Sequence, residues 1–106
     1  SAAVFDELPE GVATPELKVA VEEGEQAALM DALVAEAQRR FTDAAIHTID
    51  GVRVEWPDGW GLVRASNTTP VLVVRFEADD GVGLARIRAA FQELLDAVRP
   101  GLAIPA

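Results

Sequence analysis

The sequence predicts an α+β fold in which an antiparallel sheet of about four to five strands carries two helices on one face. Three observations predict it. Two stretches repeat apolar residues at helical spacing, five short stretches read as strands, and the strands after the first helix follow one another through tight-turn residues. Strands joined in series by tight turns pair antiparallel, and each helix needs an apolar sheet face to cover. At 106 residues the chain has room for one core.

Residues 1–13 are acidic and rich in small residues, without clear periodicity. They read as a linker or hinge segment entering the domain at Thr14-Pro15, and residues 14–106 read as the domain itself. From Glu16 to Glu22 the chain alternates, with Leu17, Val19 and Val21 on one face and Lys18, Ala20 and Glu22 on the other, which is a half-buried strand. Glu23-Gly24 ends it. Leu29, Leu33, Ala37 and Phe41 then recur every fourth residue, widened by Met30 and Val34, and predict a helix from about Glu25 to about Arg40. Arg39 and Arg40 suit the negative end of its dipole.

Ala45 to Ile49 predicts a strand, and Asp50-Gly51 a hairpin turn into Val52, Val54 and Trp56. Pro57-Asp58-Gly59 turns the chain into Trp60–Ala65, and a polar loop leads on to Val71–Ala78, the most apolar strand. Asp79 and Asp80 are N-cap candidates for a second helix whose stripe is Leu84, Ile87, Phe91, Leu94, Leu95 and Val98, and Pro100-Gly101 ends it. The predicted order is β-α-β-β-β-β-α.

Composition excludes several function classes. With no cysteine there is no disulfide, no thiolate metal site and no thiol nucleophile. A net charge of −9 opposes general affinity for nucleic acid or anionic lipid. No apolar run approaches the roughly 20 residues that cross a bilayer. The first residues lack the basic and apolar regions of a signal peptide, and a cytoplasmic location is expected. The chain opens on Ser1 rather than Met, as an excised fragment would. Charge is uneven: residues 1–44 carry three basic and ten acidic side chains, whereas residues 45–106 carry six Arg against eight acids. If an anion binds, it is expected in the second part.

One segment exceeds structural need: Arg64-Ala65-Ser66-Asn67-Thr68-Thr69-Pro70. It places an Arg at a strand end, followed by four side chains bearing a hydroxyl or amide. Phosphate presents several strong acceptor oxygens and negative charge, which a guanidinium fork and convergent O–H and N–H donors satisfy. No residue in the loop is a general base, so binding is its natural chemistry. Ser, Asn and Thr also serve plain turns, where their side chains satisfy local backbone groups, and composition alone leaves that alternative open. His47, the one histidine, reads as a surface residue rather than a ligand or base. Trp56 and Trp60 read as a cross-strand pair flanking their turn, and Arg75 as a residue that balances local charge.

The run Asp50-Gly51-Val52-Arg53-Val54, followed by Asp58-Gly59-Trp60-Gly61-Leu62-Val63-Arg64-Ala65-Ser66-Asn67-Thr68-Thr69-Pro70-Val71-Leu72, closely resembles the last domain of the α-D-phosphohexomutases. The resemblance runs from about Thr14 to the C-terminus and is nearest to bacterial enzymes acting on both glucose and mannose phosphates. It implies the TATA-binding-protein-like fold of that domain. It further implies that Arg64, Ser66, Asn67 and Thr68 grip the phosphate that is not being transferred. Thr69 departs from the Glu common at its position and inherits only a supporting contact. The phosphoserine loop, magnesium-binding loop and sugar-selecting loop of such enzymes belong to three upstream domains, so the fragment is expected to be inactive alone. No catalytic residue, metal ligand or cofactor is expected within it. Mg2+ and an activating bisphosphosugar are implied for the intact parent, with a phosphosugar and the three upstream domains as partners. The alternative reading is a self-standing protein-interaction module of the same architecture. A small hydrolase lacks a nucleophile–base pair.

Overall fold

The computed structural model describes residues 6–8 and 11–105. The elements are β1 (Asp6–Leu8), β2 (Gly11–Ala13), β3 (Leu17–Ala20), α1 (Gln26–Arg40), β4 (Ala45–His47), β5 (Val52–Trp56), β6 (Gly59–Ala65), β7 (Val71–Ala78) and α2 (Gly81–Val98). All strand pairs among the described residues are antiparallel, in the order β1-β2-β7-β6-β5-β4 with β3 also on β7. The α+β architecture and both helices stand as the sequence predicts.

Side-chain alternation decides which face the helices cover. Val52, Val54, Val63, Leu72, Val74, Phe76, Leu17 and Val19 are buried in one cluster with Leu33 and Ala37 of α1 and Ile87, Phe91, Leu94 and Leu95 of α2. α1 lies over β5 and β6, α2 lies over β6 and β7, and the helices touch each other. The opposite face has no helix over it among the described residues, and there Lys18, Arg53, Glu55, Trp60, Arg64, Arg75 and Glu77 emerge from the alternate positions.

The sheet is wider than predicted. The sequence reads residues 1–13 as a tether, yet the structure places β1 and β2 within them, and Val12 and Ala13 pair with Ala78 and Glu77. β2 and β3 pair with successive parts of the same β7 edge, and Thr14 spans the break between them. Its N–H donates to Phe76 O at 2.9 Å, and its Oγ1 accepts from Phe76 N–H at 3.1 Å. A side chain thus completes a ladder that the following Pro15 interrupts. Nothing in the local pattern of 1–13 shows this, because the pairing partner lies more than 60 residues away.

Two turns also differ from the sequence reading. The β4–β5 connection spans Thr48–Gly51 rather than Asp50-Gly51 alone, which leaves Ile49 fully exposed at its tip. Gly51 adopts φ +91°, as that turn demands. Between β5 and β6, Trp56 pairs with Gly59 and Trp60 with Glu55. Consecutive rungs of a ladder face opposite ways, so the two tryptophans do not pack together. Trp56 joins the core beside Phe41, whereas Trp60 lies on the open face under the Arg53 guanidinium, 4.1 Å from its ring centroid.

The chain after α2 returns to the core through Leu102 and Ile104. Gln92 holds it, donating to Leu102 O at 2.7 Å and accepting from Ile104 N–H at 2.9 Å.

Candidate phosphate-binding site

The polar loop joins β6 to β7 at one end of the sheet. Ala65 and Leu72 form the last rung, and Ser66 N–H continues it to Val71 O at 3.1 Å. Beyond this point the chain turns through Asn67, Thr68, Thr69 and Pro70, all exposed. Val71 N–H donates to Thr69 O at 2.8 Å, and Val21 N–H donates to Pro70 O at 3.0 Å, tying the loop to the end of β3.

Ser66 is the centre of the loop. Its Oγ lies 3.2 Å from Thr69 Oγ1 and 3.5 Å from Thr68 Oγ1, and the backbone N–H groups of Thr68 and Thr69 point to it at 3.3 and 3.4 Å. These are long, weak hydrogen bonds. Three hydroxyls and two backbone N–H groups therefore converge within one exposed turn, and an anion with strong acceptor oxygens would satisfy them better than they satisfy one another. Asn67 borders two hollows. One, of about 160 Å³, runs past Glu23 and Gln26, and the other, of about 300 Å³, lies between α1 and the Thr48–Gly51 turn beside Arg64.

Arg64 sits two residues before Ser66 and alternates with buried Val63, so it leaves the sheet on the open face. Its Nη2 lies 3.6 Å from Glu16 Oε2. That separation exceeds a charge-assisted hydrogen bond, and the pair is partly exposed, so little holds the guanidinium there. Three other Arg side chains of the second part are more firmly engaged. Arg53 meets Glu55 at 2.7 Å, Arg86 meets Asp58, and Arg99 meets Glu25. The structure thus brings Ser66, Thr68 and Thr69 together, sets Asn67 at their edge, and places Arg64 one strand-step away with a weakly held charge. Neighbouring Glu23, Asp31 and Asp50 are acidic, so the loop presents converging donors without a broad positive field.

One participant is invisible in the sequence pattern. Gln26, in the first turn of α1, donates its side-chain amide to Ser66 O at 3.0 Å, Thr69 O at 3.0 Å and Val71 O at 2.9 Å. Its partners lie 40–45 residues away, so no local motif marks it. His47 is exposed on edge strand β4, 3.3 Å from Glu55 Oε1 and far from this loop in the strand register. Among the described residues no three His, Cys, Asp or Glu side chains are grouped as a metal would require. No described helix is long and apolar enough to cross a membrane.

Residues 16–94 match the family model described as "Phosphoglucomutase/phosphomannomutase, C-terminal domain". A phosphomannomutase/phosphoglucomutase of Pseudomonas aeruginosa is 49% identical over 102 residues, which make up 96% of this chain and 22% of that protein. A phosphoglucomutase of Neisseria meningitidis is 47% identical over 104 residues, again 96% of this chain and 22% of its own length. Among solved structures, a phosphoglucomutase/phosphomannomutase family protein from Burkholderia thailandensis superposes with a TM-score of 0.78 at 48% identity, covering 93% of this chain and 20% of that one. The chain spans about a fifth of the length of the relatives it matches. By the model match over most of its length and by these identities, the chain belongs to the phosphoglucomutase/phosphomannomutase family and corresponds to its C-terminal domain.

Proposed function

We propose that the Ser66–Thr69 loop and Arg64 hold the non-transferred phosphoryl group of a hexose phosphate within a larger phosphoglucomutase/phosphomannomutase. The observation that carries this reading is the convergence of three hydroxyls and two backbone N–H groups on an exposed turn beside a weakly engaged Arg. The site holds donors and a positive charge but no base or nucleophile, so its chemistry is recognition. Ser66, Thr68 and Thr69 donate O–H groups, Asn67 donates from its amide, and Arg64 supplies a planar charged fork.

In the intact enzyme the reaction interconverts hexose 1-phosphate and hexose 6-phosphate through a bisphosphosugar and a phosphoserine carried on another domain. The two half-reactions offer this loop phosphates at different sugar positions. Flexible hydroxyl donors that read the phosphate and not the sugar serve both. Closure of the domain over the ligand then excludes water from the phosphoenzyme. The domain is entered at the β2–β7 pairing, and its connection to the upstream domains serves as the hinge of that closure.

Titration of the 106-residue chain with glucose 1-phosphate should shift the backbone amides of Ser66, Asn67, Thr68 and Thr69 selectively, with weak affinity because most of the binding surface lies elsewhere. Arg64→Ala should weaken this binding by about tenfold or more, the scale of a lost charged hydrogen bond. Equal binding by the Arg64→Ala chain, or shifts spread evenly over the surface, would remove the reading.

A further inference from the structure

We infer that Gln26 is a positioning residue for the phosphate loop: its side-chain amide holds the Ser66–Val71 backbone in the shape that receives the anion. The inference rests on the loop being the phosphate site proposed above.

The geometry is unusual for a first-turn helix position. One NH2 group, with two protons, reaches three carbonyl oxygens at 2.9–3.0 Å, and all three belong to the same loop. Ser66 O and Val71 O flank the turn where it leaves β6 and enters β7, and Thr69 O lies within it. These bonds are shorter than the hydroxyl contacts inside the loop, which run from 3.2 to 3.5 Å. The loop's form is therefore set more by α1 than by its own side chains.

Peptide planarity converts this anchoring into donor placement. In a trans peptide the C=O and the next N–H point in opposite directions. Fixing Ser66 O on Gln26 therefore turns the Asn67 N–H away from α1. Thr69 O precedes Pro70, which has no N–H, so anchoring that carbonyl sacrifices no donor. The base of the anchor is itself braced. Adjacent Glu25 accepts from Glu22 N–H and pairs with Arg99 just beyond α2.

The test uses the 106-residue chain and two substitutions, Gln26→Met, which keeps the length and removes the donors, and Gln26→Glu, which points a carboxylate at three carbonyls. Amide hydrogen exchange at Ser66 and Val71 is measured without ligand, and amide-shift titration with inorganic phosphate is measured separately. Gln26→Met should raise loop exchange about tenfold and weaken phosphate by a similar factor, as loss of one or two neutral hydrogen bonds implies, with Gln26→Glu worse in both. Arg64→Ala, by contrast, should weaken phosphate and leave loop exchange unchanged. Unchanged exchange in Gln26→Met overturns the inference, and so does a loosened loop that binds phosphate as before. Absence of loop shifts in the unsubstituted chain overturns the phosphate reading itself and takes the inference with it.

Discussion

Single side chains complete the backbone of this domain at two places where its strands stop. Thr14 fills the gap between β2 and β3 with one backbone and one hydroxyl hydrogen bond to Phe76, and it is the one buried polar residue of the described chain. Thr14→Val retains the shape and leaves Phe76 N–H without an acceptor inside the sheet. Such an orphaned donor costs about 1–3 kcal/mol, to be read as a lower midpoint in urea unfolding at unchanged slope. A midpoint equal to that of the parent chain would show that water reaches this rung. Gln26 acts in a related way at the other end of β7, adding a side-chain donor to the carbonyls of Ser66, Thr69 and Val71 where the ladder gives way to the loop. The hydroxyls of the Ser66–Thr69 loop and the nearby Arg64 are legible from residue type, since donors and a fixed charge close together in sequence point to an anion. Thr14 and Gln26 are not, because what matters about each is a partner 40 or more residues away.

At the scale of elements, the seating of α2 on the sheet depends on small residues beneath it. Gly59 and Gly61 occupy core-facing positions of β6, and a Cβ at Gly61 would run into the ring of Phe91, which is fully buried. Phe91 in turn meets Phe76 edge-on at 5.4 Å and stacks near Phe41 at 6.1 Å. Gly61→Ala should therefore destabilise by about 1–3 kcal/mol through overpacking, although Ala is the better strand former in isolation. Thermal unfolding that matches the unsubstituted chain would show that α2 shifts freely. α2 itself follows its sequence signals closely: Asp80 caps it through Gly83 N–H at 2.9 Å, and its predicted stripe is the buried face. The hairpins are less faithful. A dipeptide signal locates a turn but leaves the strand register open by one residue, and one residue reverses which face a side chain occupies. That is why the tryptophans lie on opposite faces.

Across the whole molecule, charge pairs form both between elements, as in Arg99–Glu25 and Arg86–Asp58, and within one strand, as in Arg53–Glu55. The carboxyl of Glu25 is held below the usual carboxylate range by the Glu22 N–H and by Arg99, that of Glu55 by Arg53 and then His47, and that of Asp58 by Arg86. Each folded-state value is depressed. Their contribution to stability is thus complete above the unfolded-state values near pH 4 and is lost as pH falls through the lower folded values. The thermal midpoint should decline from about pH 5 downward, and the decline should be shallower in Glu25→Gln. An identical decline in that variant would place the acid sensitivity elsewhere.

The sequence by itself determined the fold class, both helices, the five strands from Leu17 to Ala78 and the composition of the anion loop. Apolar period, turn chemistry and donor type are local properties that a linear reading captures. Only the tertiary structure decided that β2 and β3 share the β7 edge, that Trp56 is core while Trp60 lies on the open face, and that the Gln26 amide meets the loop carbonyls. Each of these depends on which strand or helix meets which, and backbone groups are satisfied by whatever partner the folded chain brings within 3 Å, however far away it lies in sequence.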